Sequence, residues 1–96
     1  MSLLSVTKVT SSTNLDQSQT TFLIDATSGN ITFTLDNDPT DGENYGIKRI
    51  DNSSHTVTVK GFNNSQTIDG SINVNLNYLD TMTLVAFNNR WYKVNQ

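Results

Sequence analysis

The sequence predicts an all-β fold, a compact antiparallel β-sandwich (jelly-roll-like or a small barrel) of about seven to eight short strands. Three observations carry that expectation. Val, Ile and Thr supply 27 of the 96 residues, against two Ala and one Glu. Branching at Cβ restricts χ1 against a preceding helical turn but packs well on a pleated sheet. Apolar residues recur with period two, most cleanly in Ile31-Thr32-Phe33-Thr34-Leu35. Turn residues break these runs at the short intervals of a sandwich or barrel, and the lone Pro39 sits among them.

The elements follow in order. Leu4, Val6 and Lys8 alternate with Leu3, Ser5, Thr7 and Val9 in a first strand. Thr10 to Gln19 is polar and reads as a long connection, so residues 1–19 are expected to be a flexible N-terminal segment of one domain spanning 1–96. Thr20 to Thr27 is a second strand with Phe22, Ile24 and Ala26 on one face, ended by a turn at Ser28-Gly29-Asn30. Ile31 to Leu35 is the third. Asp36 to Asn44 is a loop, broken at Pro39 and Asp41-Gly42. Tyr45 to Asp51 has a phase problem, because Tyr45 and Ile47 point one way and Ile50 the other; a bulge near Lys48-Arg49 would return Ile50 to the core. Thr56 to Phe62 places Val57 and Val59 inward, with Gly61 opening a bend.

After a turn at Asn63 to Gln66, Ile68 starts a segment broken at Asp69-Gly70. Ile72, Val74 and Leu76 alternate with Asn73, Asn75 and Asn77 in a half-buried strand. Thr81 to Phe87 carries Met82, Leu84 and Ala86 on one face and Val85 and Phe87 on the other. Apolar residues on both faces predict a strand covered from both sides, by a second sheet and by another subunit. Asn88-Asn89 is a two-residue hairpin connection to a last strand, Arg90 to Val94. The expected core includes Ile47, Val57, Val59, Ile68 and Leu84. No internal repeat recurs at a fixed period.

Composition bounds the function. A 10.6 kDa chain buries about 65% of its unfolded surface. Only 34% of the residues are hydrophobic, and Thr, Asn, Ser and Asp make up 45 of 96, so the core is thin and self-association would add stability. Low net charge and regularly spaced β-branched residues argue against disorder. The net charge is −3 and the six basic residues are scattered, which excludes the clustered basic footprint of a nucleic-acid binder. No apolar run has the length of a membrane span, so no membrane insertion is expected. The N-terminus lacks the basic start and apolar stretch of a signal peptide. With no cysteine there is neither disulfide nor thiolate metal site, as suits folding in a cytoplasm.

Candidate chemistry is sparse. His55 is the only histidine, flanked by Asn52, Ser53 and Ser54, and one imidazole makes neither a triad nor a three-ligand zinc site; it reads as a turn residue. Asp36, Asp38, Asp41 and Glu43 fail the EF-hand spacing, with Thr40 fifth and Asp41 sixth, and read as a solvated loop. Asp25, Asp51 and Asp69 are the carboxylates to weigh for glycoside hydrolysis, but each is placed to bond its own backbone at a strand end. Lys48, Arg49 and Asp51 read as a charge-paired network. No enzyme activity, no cofactor and no metal are expected. Three sequons, at Asn30, Asn52 and Asn63, follow from an Asn- and Thr-rich composition. The remaining candidates are Tyr78, Arg90, Trp91 and Tyr92, as ligand or interface contacts. Alternation turns Trp91 and Tyr92 to opposite faces, so at most one is core and the other is free for a subunit or a sugar.

The order of these pieces carries a resemblance. Ile31-Thr32-Phe33-Thr34-Leu35, Pro39, Asp41-Gly42 and Tyr45-Gly46-Ile47-Lys48-Arg49-Ile50-Asp51 are followed by Thr56-Val57-Thr58-Val59, Thr67-Ile68-Asp69-Gly70 and Trp91-Tyr92-Lys93-Val94. From Thr20 to Val94 this resembles a β-module of bacteriophage tail-fibre, baseplate and receptor-binding proteins, also seen in structural proteins of large viruses. It departs at Asp36-Asn37-Asp38, where the module often runs directly into Leu-Pro, and this reads as a loop insertion. The resemblance implies a homo-oligomer, with a trimer favoured, in a virion tail or fibre folded in the host cytoplasm. It also implies contacts with other virion proteins, a host-surface glycan as ligand, and a role in self-assembly and host adsorption. A stand-alone carbohydrate-binding domain and a hydrolytic (depolymerase) domain are the alternatives.

Overall fold

The computed structural model describes residues 6–14 and 21–95, which form nine strands and no helix. One sheet has five strands: β1 (Val6–Val9), β3 (Thr21–Ile24), β5 (Asn44–Arg49), β8 (Thr81–Phe87) and β9 (Arg90–Asn95), side by side in that order. The second has four, β2 (Thr13–Asn14), β4 (Ile31–Thr34), β6 (Val57–Lys60) and β7 (Asn73–Leu76), again in that order. The two sheets enclose one core, to which nearly every strand contributes alternate residues. The all-β expectation holds, and Ile47, Val57, Val59, Ile68 and Leu84 are all buried as expected.

The all-antiparallel arrangement is corrected. β1–β3, β3–β5, β2–β4 and β4–β6 pair in parallel, and only β5–β8, β6–β7 and β8–β9 are antiparallel. The chain winds from one sheet to the other and back, β1 to β2, β3 to β4, β5 to β6, and each coil lies on the last. The turn after β3 shows why. Gly29 N–H bonds the Ala26 carbonyl at 3.2 Å, and the chain emerges in the opposite sheet instead of folding back as a hairpin. Asn30 Oδ1 then accepts the Thr56 N–H of the next coil at 2.8 Å, tying the two coils together. Apolar residues stack coil on coil: Phe22 lies opposite Ile47, Ile31 opposite Val57, Phe33 opposite Val59.

The winding ends at β7, which doubles back on β6, and the chain closes with the β8–β9 hairpin. Asn88 and Asn89, both at positive φ, form its turn, a conformation that matches the twist of the flanking strands. Asp69-Gly70 repeats this between Ile68 and Ser71, at φ 50° and 85°. Thr67–Asp69 then lies against the open edge of β9, with Trp91 N–H bonded to the Thr67 carbonyl at 2.8 Å.

Three further expectations change. Val6–Val9 form the last part of the expected first strand, with Val9 buried, but Thr13–Asn14, expected in a connection, form β2; the expected positions before residue 6 and over 15–20 lie outside the described residues. No bulge forms near Lys48-Arg49. β5 alternates unbroken through Arg49, whose guanidinium takes the inward place, and Ile50 is half-buried. Ile72 is 50% exposed because the Asp69-Gly70 turn delivers the chain to β6 only at Asn73.

Candidate functional site

The corner between β5 and β6 is built around a buried ion pair. Arg49 faces Asp51 side-on, with Nε–Oδ1 and Nη2–Oδ2 both at 3.0 Å. Its remaining donors reach the carbonyls of Leu76 at 2.9 Å and His55 at 2.7 Å. Asp51 also accepts the Ala26 N–H at 2.8 Å and the Ser53 hydroxyl at 2.6 Å. The guanidinium holds the Asp51 carboxyl well below the usual carboxylate range, against the opposing pull of burial. One network therefore joins the bend after β3, the bend after β5 and the end of β7. His55 belongs to it, its Nδ1 2.7 Å from the Ala26 carbonyl. The expected turn role of His55 and charge pairing of Arg49 with Asp51 are both present, while Lys48 turns outward to the Leu79 carbonyl at 3.3 Å.

A polar cleft of about 390 Å³ opens beside this corner, between the bend at 52–56 and the end of β7. Tyr78 stands on it, 50% exposed. The ring is carried by a tight turn in which Asn77 and Asp80 bond each other's backbone, at 2.8 and 2.9 Å, with Leu79 at φ 64°. Two smaller clefts lie at the ends of the sheets, about 240 Å³ beside β1 and β2 and about 320 Å³ between β7 and β8.

Arg90 and Tyr92 are elsewhere, beside the second half of β8, a strand that starts three residues after Tyr78 and runs away from it. They lie on the outer face of the five-stranded sheet, opposite Phe87 and Val85. Val6, Phe87 and Tyr92 on this face are 61, 60 and 41% exposed, Leu23 and Val85 are half-buried among them, and Lys8, Lys48 and Arg90 share the face. Gly46 sits in the middle, between Thr21 and Thr83. A Cβ there would meet nothing nearer than Thr21 Oγ1 at 4.0 Å, so the chain's own packing does not require a glycine. The outer face of the four-stranded sheet is different, carrying Thr32, Thr34, Thr58, Lys60, Asn73 and Asn75.

Trp91 is corrected as a contact residue. It is fully buried, its ring 5.7 Å from Tyr45, which continues to Phe22 at 6.1 Å and Phe33 at 4.9 Å. Alternation placed one of the terminal aromatics inside, and it is this one. The carboxylates weighed for hydrolysis bond nearby groups: Asp25 accepts from Thr27, and Asp69 from the Lys93 N–H. In the acidic loop Asp41 accepts the Asn88 N–H at 2.8 Å and Glu43 the Thr40 N–H at 3.0 Å. Burial, with Asp36 nearby, pushes the Glu43 carboxyl up.

Nothing in the local sequence pattern points to Gly46 or to the amides around Tyr78. Asn75 and Asn77 stand out only as the polar half of an alternation, and Asn52 as part of a turn. The winding of the chain, not local pattern, brings them together. Compared with known proteins, the chain matches no family model and no curated sequence.

Proposed function

We propose that this chain is a structural module of a virion tail or fibre apparatus, assembling with copies of itself through the outer face of its five-stranded sheet and serving in host-surface recognition. The observation that carries the assembly is Gly46. Glycine inside a strand weakens it by roughly 0.5–1 kcal/mol relative to Ala, so one with open space above it marks a close approach by another surface. Its neighbours across the sheet are Thr21 and Thr83, and beyond them Val6, Leu23, Val85, Phe87 and Tyr92 form the apolar part of the face. Apolar surface of this kind, on a sheet whose opposite side is already core, is what a covered sheet presents. The order of motifs from Thr20 to Val94 supports the virion setting, and the thin core supports a subunit whose stability is completed by its neighbours.

The test is sedimentation of paired variants. Gly46→Leu and Tyr92→Asp should each convert the oligomer to monomer while retaining the β-sheet circular dichroism of the parent. Thr58→Asp, on the other sheet's outer face, should leave the assembly intact. An oligomer unaffected by both Gly46→Leu and Tyr92→Asp would remove this face from the assembly.

A further inference from the structure

We infer that the cleft under Tyr78 is a binding site for a neutral sugar. This deepens the recognition half of the reading above and rests on it only for its biological setting. Arg49 borders the cleft, but its guanidinium is engaged by Asp51, Leu76 and His55, so no free cation is offered to a phosphate, sulfate or carboxylate. Apolar lining is limited to Val57 and Leu76, both buried, which suits neither a lipid chain nor a hydrocarbon.

What the cleft presents is neutral and polar. Asn52, Ser54, Asn75 and Asn77 line it. Asn75 commits only its Oδ1, to the Thr58 hydroxyl at 3.0 Å, and keeps its amide donors. The side chains of Asn52, Ser54 and Asn77 take no hydrogen-bond partner among the described residues. His55 Nδ1 is held to the Ala26 carbonyl, which leaves Nε2 as a further polar atom of the lining. Amides and hydroxyls without protein partners, beside an exposed tyrosine ring, match a molecule with hydroxyl groups at its edge and an apolar C–H face. A volume of about 390 Å³ lies near the low end of the roughly 300–1,000 Å³ of small-molecule pockets, which suits one or two sugar rings.

The site is also pre-formed. The Arg49–Asp51 network fixes the bend at 52–56, and the Asn77–Asp80 turn fixes the ring-bearing segment, so little ordering is left for binding to impose. A flexible loop with the same side chains would have no comparable claim.

The experiment is an amide NMR titration with maltose, lactose and N,N′-diacetylchitobiose as neutral probes and sialyllactose as an anionic one. At least one neutral disaccharide should shift the amides of residues 52–56 and 75–78. Tyr78→Ala and Asn52→Ala, both on exposed side chains, should weaken it about tenfold or more without changing the melting temperature. Tyr92→Ala should bind as the parent does. Shifts confined to the face around Tyr92, a response to sialyllactose alone, or no response to any neutral probe would overturn the inference. Light scattering on the same samples separates the two readings. An oligomer that binds no sugar ends this inference and leaves the assembly standing, whereas a monomer that binds at Tyr78 does the opposite.

Discussion

Gly61 shows how much one residue can decide. A Cβ at this position would lie 1.9 Å from the Gln66 carbonyl oxygen, so the loop after β6 would have to be displaced. Its bend was legible as a glycine at a strand end; the backbone crossing it at that distance was not, because it involves a residue five places on. Gly61→Ala should cost about 3 kcal/mol or more, read as a lower urea midpoint at fixed protein concentration. Leu84, with no exposed surface, should cost roughly 2–5 kcal/mol on replacement by Ala. Asp51 gives a third test. Asp51→Ala leaves the Arg49 cation buried without its partner, at roughly 3–5 kcal/mol, while the double change Arg49→Met with Asp51→Leu should recover only the part due to the unpaired charge, because the Ala26 N–H and the Leu76 and His55 carbonyls still lose their partners. The same pair sets an acid limb. Because the folded Asp51 carboxyl is depressed, its contribution is complete above about pH 5 and is lost as pH falls through and below the unfolded value near 4. Glu43 acts with the opposite sign, its raised pKa favouring the folded state as protons bind. A pH–stability profile of the double variant should therefore lose part of its fall below pH 4.

Strands were the most legible element, since period-two alternation in a chain rich in β-branched residues leaves little choice of local structure. Their pairing was not legible. Val6 lies opposite Thr21, 15 residues on, but Thr21 lies opposite Gly46, 25 residues on, and in the other sheet Thr13 and Ile31 meet Phe33 and Val57 after 20 and 26. Coils of unequal length stack without producing a fixed repeat, and a turn that crosses between sheets uses the same residues as one that closes a hairpin. The phase at Arg49 failed for a related reason: an arginine was not expected inward, and its Asp51 partner is supplied by the following bend. The β8–β9 hairpin was read correctly because Asn-Asn is suited to a two-residue turn. Asn88 holds φ 54°, so Asn88→Val should cost about 1–2 kcal/mol, whereas Asn88→Gly should be close to neutral in thermal unfolding.

At the scale of the molecule, two sheets share one core but present unlike outer faces. The four-stranded face carries threonine, asparagine and lysine and is finished as it stands. Its counterpart exposes Val6, Phe87 and Tyr92 on the same face as a glycine that the chain's own packing does not use. The sequence suggested this asymmetry through Val85 and Phe87, which left apolar residues on both sides of one strand. It pointed to Tyr92 and Tyr78 as surface aromatics but could not separate them, since only the course of the chain puts one on the sheet and the other on a cleft. No helix among the described residues is long and apolar enough to cross a membrane, so a helical anchor within them does not account for the exposed face. The most direct measurement is the mass of the unmodified protein in solution by multi-angle light scattering at high micromolar concentration. Assembly through the outer face predicts an oligomer, with a trimer of about three times the 10.6 kDa chain as the favoured form. A single species at the mass of one chain would contradict it.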